Sequence, residues 1–404
     1  MKTYMLMHKN IVVSIFKIYN NEVTQWLIPK SRIAISHMPL PLKRIVHYID
    51  GGYIEDETDK SYSINEEGRY YLESWLSDRA IPADRENIEQ YVKNRNTIEF
   101  MLNSNSYSLT DCYWTKTPDE STLNWNKIKL YNSNKIDRLD AVNNKRDAGE
   151  QYSKVNATLG GSLEKYWYYS YTEDKTKTNL MLAKRTTINH DILNIREVIA
   201  SKIYEQQGYN NYCKYKYIRN RYGQIVGCKC RAFTSEELEL ITAYDLLEEY
   251  GKTQVDNIYN TLIELACNYG ANYNQIRDQL DIQTLVDYII TNRDRHQNNI
   301  GFLRNPDTLK IVAIAPIFDS GSSAEMEWQL PLGIENTVVH NLYNTEIECL
   351  QAVSNIHILD LSKLPSATWI KQEFCKMNNS NEIIVQKYMD LYKAKIQYLS
   401  NLQA

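Results

Sequence analysis

Within residues 285–323, LVDYIITNRDRHQNNIGFLRNPDTLKIVAIAPIFDSGSS, the side chains of Asp294, His296 and Asn299 fall inside six positions, and Asp319 follows twenty positions after Asn299. A carboxylate, an amide and a second carboxylate in this order suit phosphoryl transfer, for which a protein supplies little covalent chemistry. One carboxylate must orient an acceptor hydroxyl, and hard oxygen donors must hold Mg²⁺. Asp294 fits the first task; Asn299 and Asp319 fit the second. His296 follows the Asp, and its place suits bracing of the catalytic turn by hydrogen bonding rather than metal ligation. Residues 300–303, a turn over 304–307 and residues 310–315 read as a β-hairpin that returns Asp319 towards Asn299.

A nucleotide needs further contacts, and the sequence offers them upstream in a consistent order. Gly160, Gly161 and Ser162 precede an aromatic strand at 166–171, and paired glycines let backbone N–H groups approach phosphate oxygens. A plain hairpin turn is the alternative on these residues alone. A second strand at 179–184 ends on Lys184, whose ammonium can act as a point charge on the α- and β-phosphates. Thirteen residues on, Glu197 lies in a predicted helix with Ile192, Ile195, Ile199 and Ile203 on its core face and Gly208 as its stop. Each of these two charges alone would ordinarily be solvated; together they are the halves of an ATP-holding ion pair. Strands at 215–218 and 224–233 flank a turn at 220–223. The end of the second, with Cys230, Arg231 and Phe233, is expected to connect two lobes and to offer its backbone to adenine.

The order N-x-D-x-H-x-x-N, then a hairpin, then an apolar run ending in Asp resembles the HipA family of bacterial serine/threonine kinases. Asn292, Asp294, His296 and Asn299 match that family's catalytic loop, and Asp319 matches its second metal ligand. Thr158, Gly161 and Lys165 fit its S/T-[IL]-x-G-x-x-x-K loop. The resemblance covers residue 158 to the C-terminus and implies an α+β, two-lobed protein-kinase-like fold, with a small β-rich N-lobe, a helical C-lobe and an N-terminal accessory domain. It also implies ATP and Mg²⁺ as cofactors, a protein substrate with a Ser or Thr acceptor, and autophosphorylation at Thr158 or Ser162 as a brake. HipA-like proteins commonly act as toxins held by a DNA-binding antitoxin, and several modify translation components. Phosphoinositide kinases share D-R-H-x-x-N followed by D-x-G, so a lipid or small-molecule kinase is a second reading. A nucleotide-binding pseudokinase acting through its N-terminal domain is a third.

Composition narrows the setting. With 404 residues, 43% apolar and 24% charged, the chain has the profile of a soluble globular protein of two domains or two lobes. A net charge of −4 gives no global attraction to nucleic acid or an anionic membrane, so direct binding to either is not expected. Seven Cys without a C-x-x-C pair fit reduced thiols in a cytoplasm, with Cys228 and Cys230 packing rather than ligating. No signal peptide is expected, and no run reaches the roughly 20 apolar residues of a membrane helix.

The expected organisation is an accessory domain at 1–130, a polar linker at 131–157, an N-lobe at 158–234 and a helical lobe at 235–404. Residues 11–16 read as a strand, 39–42 as a turn and 85–92 as a helix. The aromatic stretch 108–114 and Trp125 read as core. Ser235-Glu236-Glu237 reads as the cap of a helix reaching residue 250, and helices are predicted at 255–268 and 275–290. Residues 320–337, with Glu325, Glu327 and Trp328, read as an irregular loop beside the acceptor pocket, and 366–402 as amphipathic helix.

Overall fold

Alternating apolar residues over the first 29 positions form a meander of β1 (Lys2–His8), β2 (Ile11–Tyr19) and β3 (Glu22–Pro29). The computed structural model describes residues 1–47, 53–58, 60–83, 92, 96–129, 131, 158, 160, 163–171, 178–186, 190–321, 338–339, 342–380 and 382–404. Helices α1 (Arg32–Ser36) and α2 (Leu40–His47) follow the meander, where a turn was expected at 39–42. The reason is local: Pro41 lies in the first helical turn, where a missing N–H breaks no intrahelical bond. Strands β4 (Ile54–Thr58), β5 (Ser61–Ile64) and β6 (Tyr113–Lys116) complete a sheet of order β4-β5-β3-β2-β1-β6.

Leu6, Phe16 and Trp26 from this sheet pack with Leu72 and Leu76 of α3 (Glu66–Arg79) and Met101 of α4 (Thr97–Asn103). Trp114, Trp125 of α5 (Trp125–Ile128) and Tyr131 form a second core that includes Trp167 from the next sheet. The predicted helix at 85–92 lies outside the described residues except for Val92, and the linker does so except for Tyr131.

The second sheet has the order β7-β8-β10-β9, from β7 (Lys165–Tyr171), β8 (Thr178–Arg185), β9 (Lys216–Arg219) and β10 (Ile225–Arg231). Its register places Lys165 and Cys228 on either side of Lys184. Directly opposed residues share a face, so both flank the lysine on one surface of the sheet. Behind it the strands approach closely: a Cβ on Gly227 would lie 2.3 Å from the Lys184 carbonyl oxygen.

Helix α6 (Ile192–Gln206) follows and ends at Gly208, whose φ of +70° suits a residue without Cβ. Its isoleucines do not pack against the second sheet alone. They share one core with the long α9 (Tyr273–Ile290) and with the C-terminal helices α11 (Ala367–Phe374) and α12 (Glu382–Gln403). The tail expected as one helix is therefore two. Asn378 in the break clasps both backbone polar groups of Ile225, which pins the interruption to the start of β10.

Between these elements, β11 (Glu239–Thr242) pairs with β12 (Gly301–Arg304), which pairs with β13 (Ile311–Ile314). Here the expected helix from Ser235 is corrected. The Ser235 hydroxyl accepts from the Glu237 N–H at 3.1 Å and closes a tight turn instead of capping a helix. The helix that follows, α7 (Ala243–Glu249), is capped by Thr242 and Asp245 in a reciprocal capping box. Helices α8 (Ile258–Asn268) and α10 (Glu346–Gln351) complete the lobe. The expected α+β class holds. No helix among the described residues is long and apolar enough to cross a membrane.

Candidate active site

Lys184 is the meeting point of three elements. Its Nζ lies 2.8 Å from Glu197 Oε1 on α6 and 2.6 Å from Asp319 Oδ1 on the loop after β13. The remaining oxygen of Glu197 accepts the Ser320 N–H at 2.9 Å, so the helix carboxylate also holds the loop. The Lys184 ammonium faces the Tyr215 ring at 5.2 Å, and the Tyr215 hydroxyl accepts the Asp319 N–H at 3.3 Å. Burial disfavours the charged ammonium, but Asp319 and Glu197 outweigh it and hold the Lys184 pKa well above its ordinary value. Burial likewise opposes charge on Asp319, whose side chain is 29% exposed; Lys184, Lys165 and Arg295 reverse the balance and keep its carboxyl well below the usual range.

Asp319 reaches this position through main-chain pairing. Ile317 N–H donates to Asn211 O and Cys213 N–H to Ile317 O, which carries the chain beside the second sheet. Asp319 then adopts the left-handed conformation, φ +55°. Gly321 completes the turn against α6, where an added Cβ would stand 2.8 Å from the Leu193 carbonyl oxygen. That close approach requires glycine.

The turn that carries Asp294 is built on the end of α9. Thr291 caps the helix in the left-handed region at φ +58°, an uncommon state for a β-branched residue. Asn292 then anchors back to the helix through Asp287 Oδ1 at 2.9 Å and accepts the Asp294 N–H at 3.2 Å. Asp294 is half-buried. The Asn299 amide nitrogen donates to the Asp294 carbonyl at 3.0 Å and lies 3.1 Å from His296 Nε2, while His296 Nδ1 accepts the Asn298 N–H at 3.2 Å. Thus His296 and Asn299 close the turn around Asp294 from within.

Arg295 joins the two motifs. Its buried guanidinium forms a two-toothed pair with Asp287, at 2.7 and 2.9 Å, and one nitrogen, Nη1, donates both to the Asn299 carbonyl, at 3.1 Å, and to the Phe318 carbonyl. Nη2 also reaches Ser320 Oγ at 2.9 Å. The main chains carrying Asn299 and Asp319 are therefore held by one group. The reading of the sequence omitted Arg295, Asp287, Tyr215 and Ser320. A signal for the first two was present: Asp287 interrupts the apolar run LVDYII, and a carboxylate on the core face of a helix needs a buried cationic partner.

A divalent cation fits these donors in a limited way. Among the described residues no group of three or more His, Cys, Asp or Glu could hold a metal by itself. Asn299 and Asp319 supply two hard oxygens, a set suited to Mg²⁺ that takes its other ligands from phosphate and water. Asp319 is held in its ionised form, and Asn299 Oδ1 accepts no hydrogen bond among the described residues.

Lys165 opposes Lys184 and adds positive charge at Asp319. Gly160 is exposed, and a Cβ there would meet no described residue within 4 Å. Gly161 and Ser162 lie outside the described residues, as do Glu325, Glu327 and Trp328. The Thr158 hydroxyl donates to the Tyr107 carbonyl at 3.0 Å. Cys230 is buried opposite Leu182, packed near Phe233, whose ring lies 5.6 Å from that of Phe318. Arg231 is exposed, and the Ala232 N–H beside it is taken by the Leu180 carbonyl at 2.9 Å.

No family model matches the chain, and no curated protein does. Among solved structures, HipA of Shewanella oneidensis MR-1, in a toxin–antitoxin complex with HipB and operator DNA, aligns over 98% of this chain and 97% of its own, with a TM-score of 0.52 and 11% identity. The Helicobacter pylori proinflammatory kinase CtkA aligns over 60% of this chain and 92% of its own, with a TM-score of 0.42 and 16% identity.

Proposed function

The chain has a two-lobed, HipA-like kinase fold, and from that premise we propose that it is a Mg-ATP-dependent serine/threonine protein kinase. The observation that carries the reading is the Lys184 ammonium seated between Glu197 and Asp319, with the main chains that carry Asn299 and Asp319 held by one guanidinium through the Asn299 and Phe318 carbonyls. Mg-ATP supplies the transferable phosphoryl group and a cation that neutralises its oxygens. Lys184, steadied by Glu197, binds phosphate oxygens. Asn299 and Asp319 hold the cation, while Lys165 with Gly160, Gly161 and Ser162 contacts the phosphates. The connector at Cys230, Arg231 and Phe233 takes the adenine. Asp294 orients the acceptor hydroxyl and accepts its proton, and His296 keeps the turn in shape.

The experiment is transfer of labelled phosphate from ATP to lysate protein, with lipid vesicles as a parallel acceptor. Wild type is expected to label protein, and Asp294→Ala to fold normally and label nothing. Full labelling by Asp294→Ala refutes the assignment, and labelling of vesicles alone selects the lipid-kinase reading. The Thr158 hydroxyl also lies in reach of regulation, because adding phosphate would remove its donation to Tyr107. Mass spectrometry that finds Thr158 and Ser162 unmodified after incubation with Mg-ATP counts against that brake. The HipA structure was solved with HipB and operator DNA, which supports a DNA-binding antitoxin as the partner and a cytoplasmic setting.

A further inference from the structure

We infer that Arg295 is a positioning residue that sets the spacing of the two cation-binding oxygens, Asn299 Oδ1 and the Asp319 carboxylate. The inference rests on the kinase reading and adds a residue that touches neither nucleotide nor cation. A guanidinium has five N–H donors. Here each has an acceptor: Asp287 takes Nε and one hydrogen of Nη2, Ser320 Oγ takes the other, and Nη1 serves the Asn299 and Phe318 carbonyls. Its contacts on either side of Asp319, to the Phe318 carbonyl and the Ser320 hydroxyl, brace the two residues that flank that residue's left-handed backbone. Its contact at Asn299 is to that residue's own carbonyl. A change in the fork would therefore alter the distance between the two oxygens before it altered either one.

A mere stability anchor would have a different layout. The Asp287 pair alone would satisfy the charge, whereas three of the five donors are directed at the loops that carry the candidate cation ligands. Lysine cannot replace this arrangement, because an ammonium has three donors and no planar fork. Groups that orient metal ligands from behind commonly change metal affinity by about 10–100-fold when removed.

The test uses the full chain, Mn²⁺ as the probe cation and a non-hydrolysable ATP analogue, with free Mn²⁺ read by electron paramagnetic resonance and folding read by circular dichroism. Arg295→Lys is expected to raise the Mn²⁺ dissociation constant by about 10-fold or more while metal-free analogue affinity stays within about 2-fold. A folded Arg295→Lys protein with wild-type Mn²⁺ affinity overturns the inference. If that variant does not fold, Ser320→Ala, which removes one arm only, carries the test. It is then expected to weaken Mn²⁺ by about 3-fold, the scale of one hydrogen bond, and an unchanged constant overturns the inference. Failure of the wild type to bind Mn²⁺ with the analogue is a separate outcome, which refutes the kinase reading itself.

Discussion

Lys184 and Asp294 differ in burial, and that difference predicts two distinct stability phenotypes for two substitutions that are both expected to abolish the proposed transfer. Removing the Lys184 ammonium leaves the Glu197 carboxylate, 3% exposed, without its counter-charge. Lys184→Met is expected to lower stability by about 3–5 kcal/mol, the scale of breaking a buried ion pair by removing one partner. Asp294 is half-buried at the lip of its turn, so Asp294→Ala should shift unfolding by no more than about 1 kcal/mol. Urea denaturation of both variants checks the contrast, and equal losses would contradict it. Asp294, Asn299 and Asp319 could be put forward from the sequence because the chemistry proposed for them lies in residue type and spacing. Lys184 and Glu197 were legible only as a pair in order along the chain. Arg295 could be inferred only through its buried partner Asp287, since its other acceptors are two main-chain carbonyls and a serine hydroxyl, and Tyr215 carried no signal, since its hydroxyl meets a main-chain amide.

At the scale of elements, periodicity located most strands and helices but misplaced where one helix starts. Ser235-Glu236-Glu237 carries the composition of a cap, yet its serine spends its hydroxyl on a two-residue turn, and β11 intervenes before the true cap. Glu239, Leu240, Ile241 and Thr242 form a strand because β12 is there to receive them, which is a tertiary fact. Thr242 both ends that strand and starts α7, with its hydroxyl on the Asp245 N–H and the Asp245 carboxylate returned to Thr242. Thr242→Ala is therefore expected to cost about 0.5–2 kcal/mol, measurable as a lower urea midpoint with an unchanged slope. The break between α11 and α12 escaped detection for a similar reason. Asn378 reads as an ordinary polar residue until Ile225 is placed beside it.

For the whole molecule, the N-terminal sheet is joined to the helical lobe by charges rather than by apolar contact alone. His8 on β1 lies 3.1 Å from Glu239 on β11, and Arg304 on β12 lies 2.6 Å from the same carboxylate, with all three side chains buried. Arg304→Met, which strands that carboxylate, is expected to destabilise the protein by about 3–5 kcal/mol, read by thermal unfolding. Burial pushes the Glu239 pKa up, but Arg304 and His8 prevail and hold it at about 2. Burial first, then the His8 and Arg304 charges, lowers His37, whose Nδ1 lies 2.8 Å from that of His8, to about 4.

In both cases the unfolded chain binds more protons than the folded one, so stability falls as pH falls. The His37 contribution is lost between about 6.5 and 4, and that of Glu239 between about 4.3 and 2. Thermal midpoints of wild type and His37→Gln measured across pH 7 to 4 check the first window; identical slopes would exclude it. None of this interface was visible in sequence, where His8, His37 and Arg304 stand far apart.

One packing arrangement bears on control. Ile195, Ile199 and Ile203 of α6 pack among α9, α11 and α12, so carrying Glu197 away from Lys184 on this helix would uncover apolar core. The lysine–glutamate clasp is therefore expected to persist whether or not nucleotide is bound. On the kinase reading, an off-state is expected to come from whatever covers or uncovers the phosphates, and a probe of clasp geometry is expected to read the same in both.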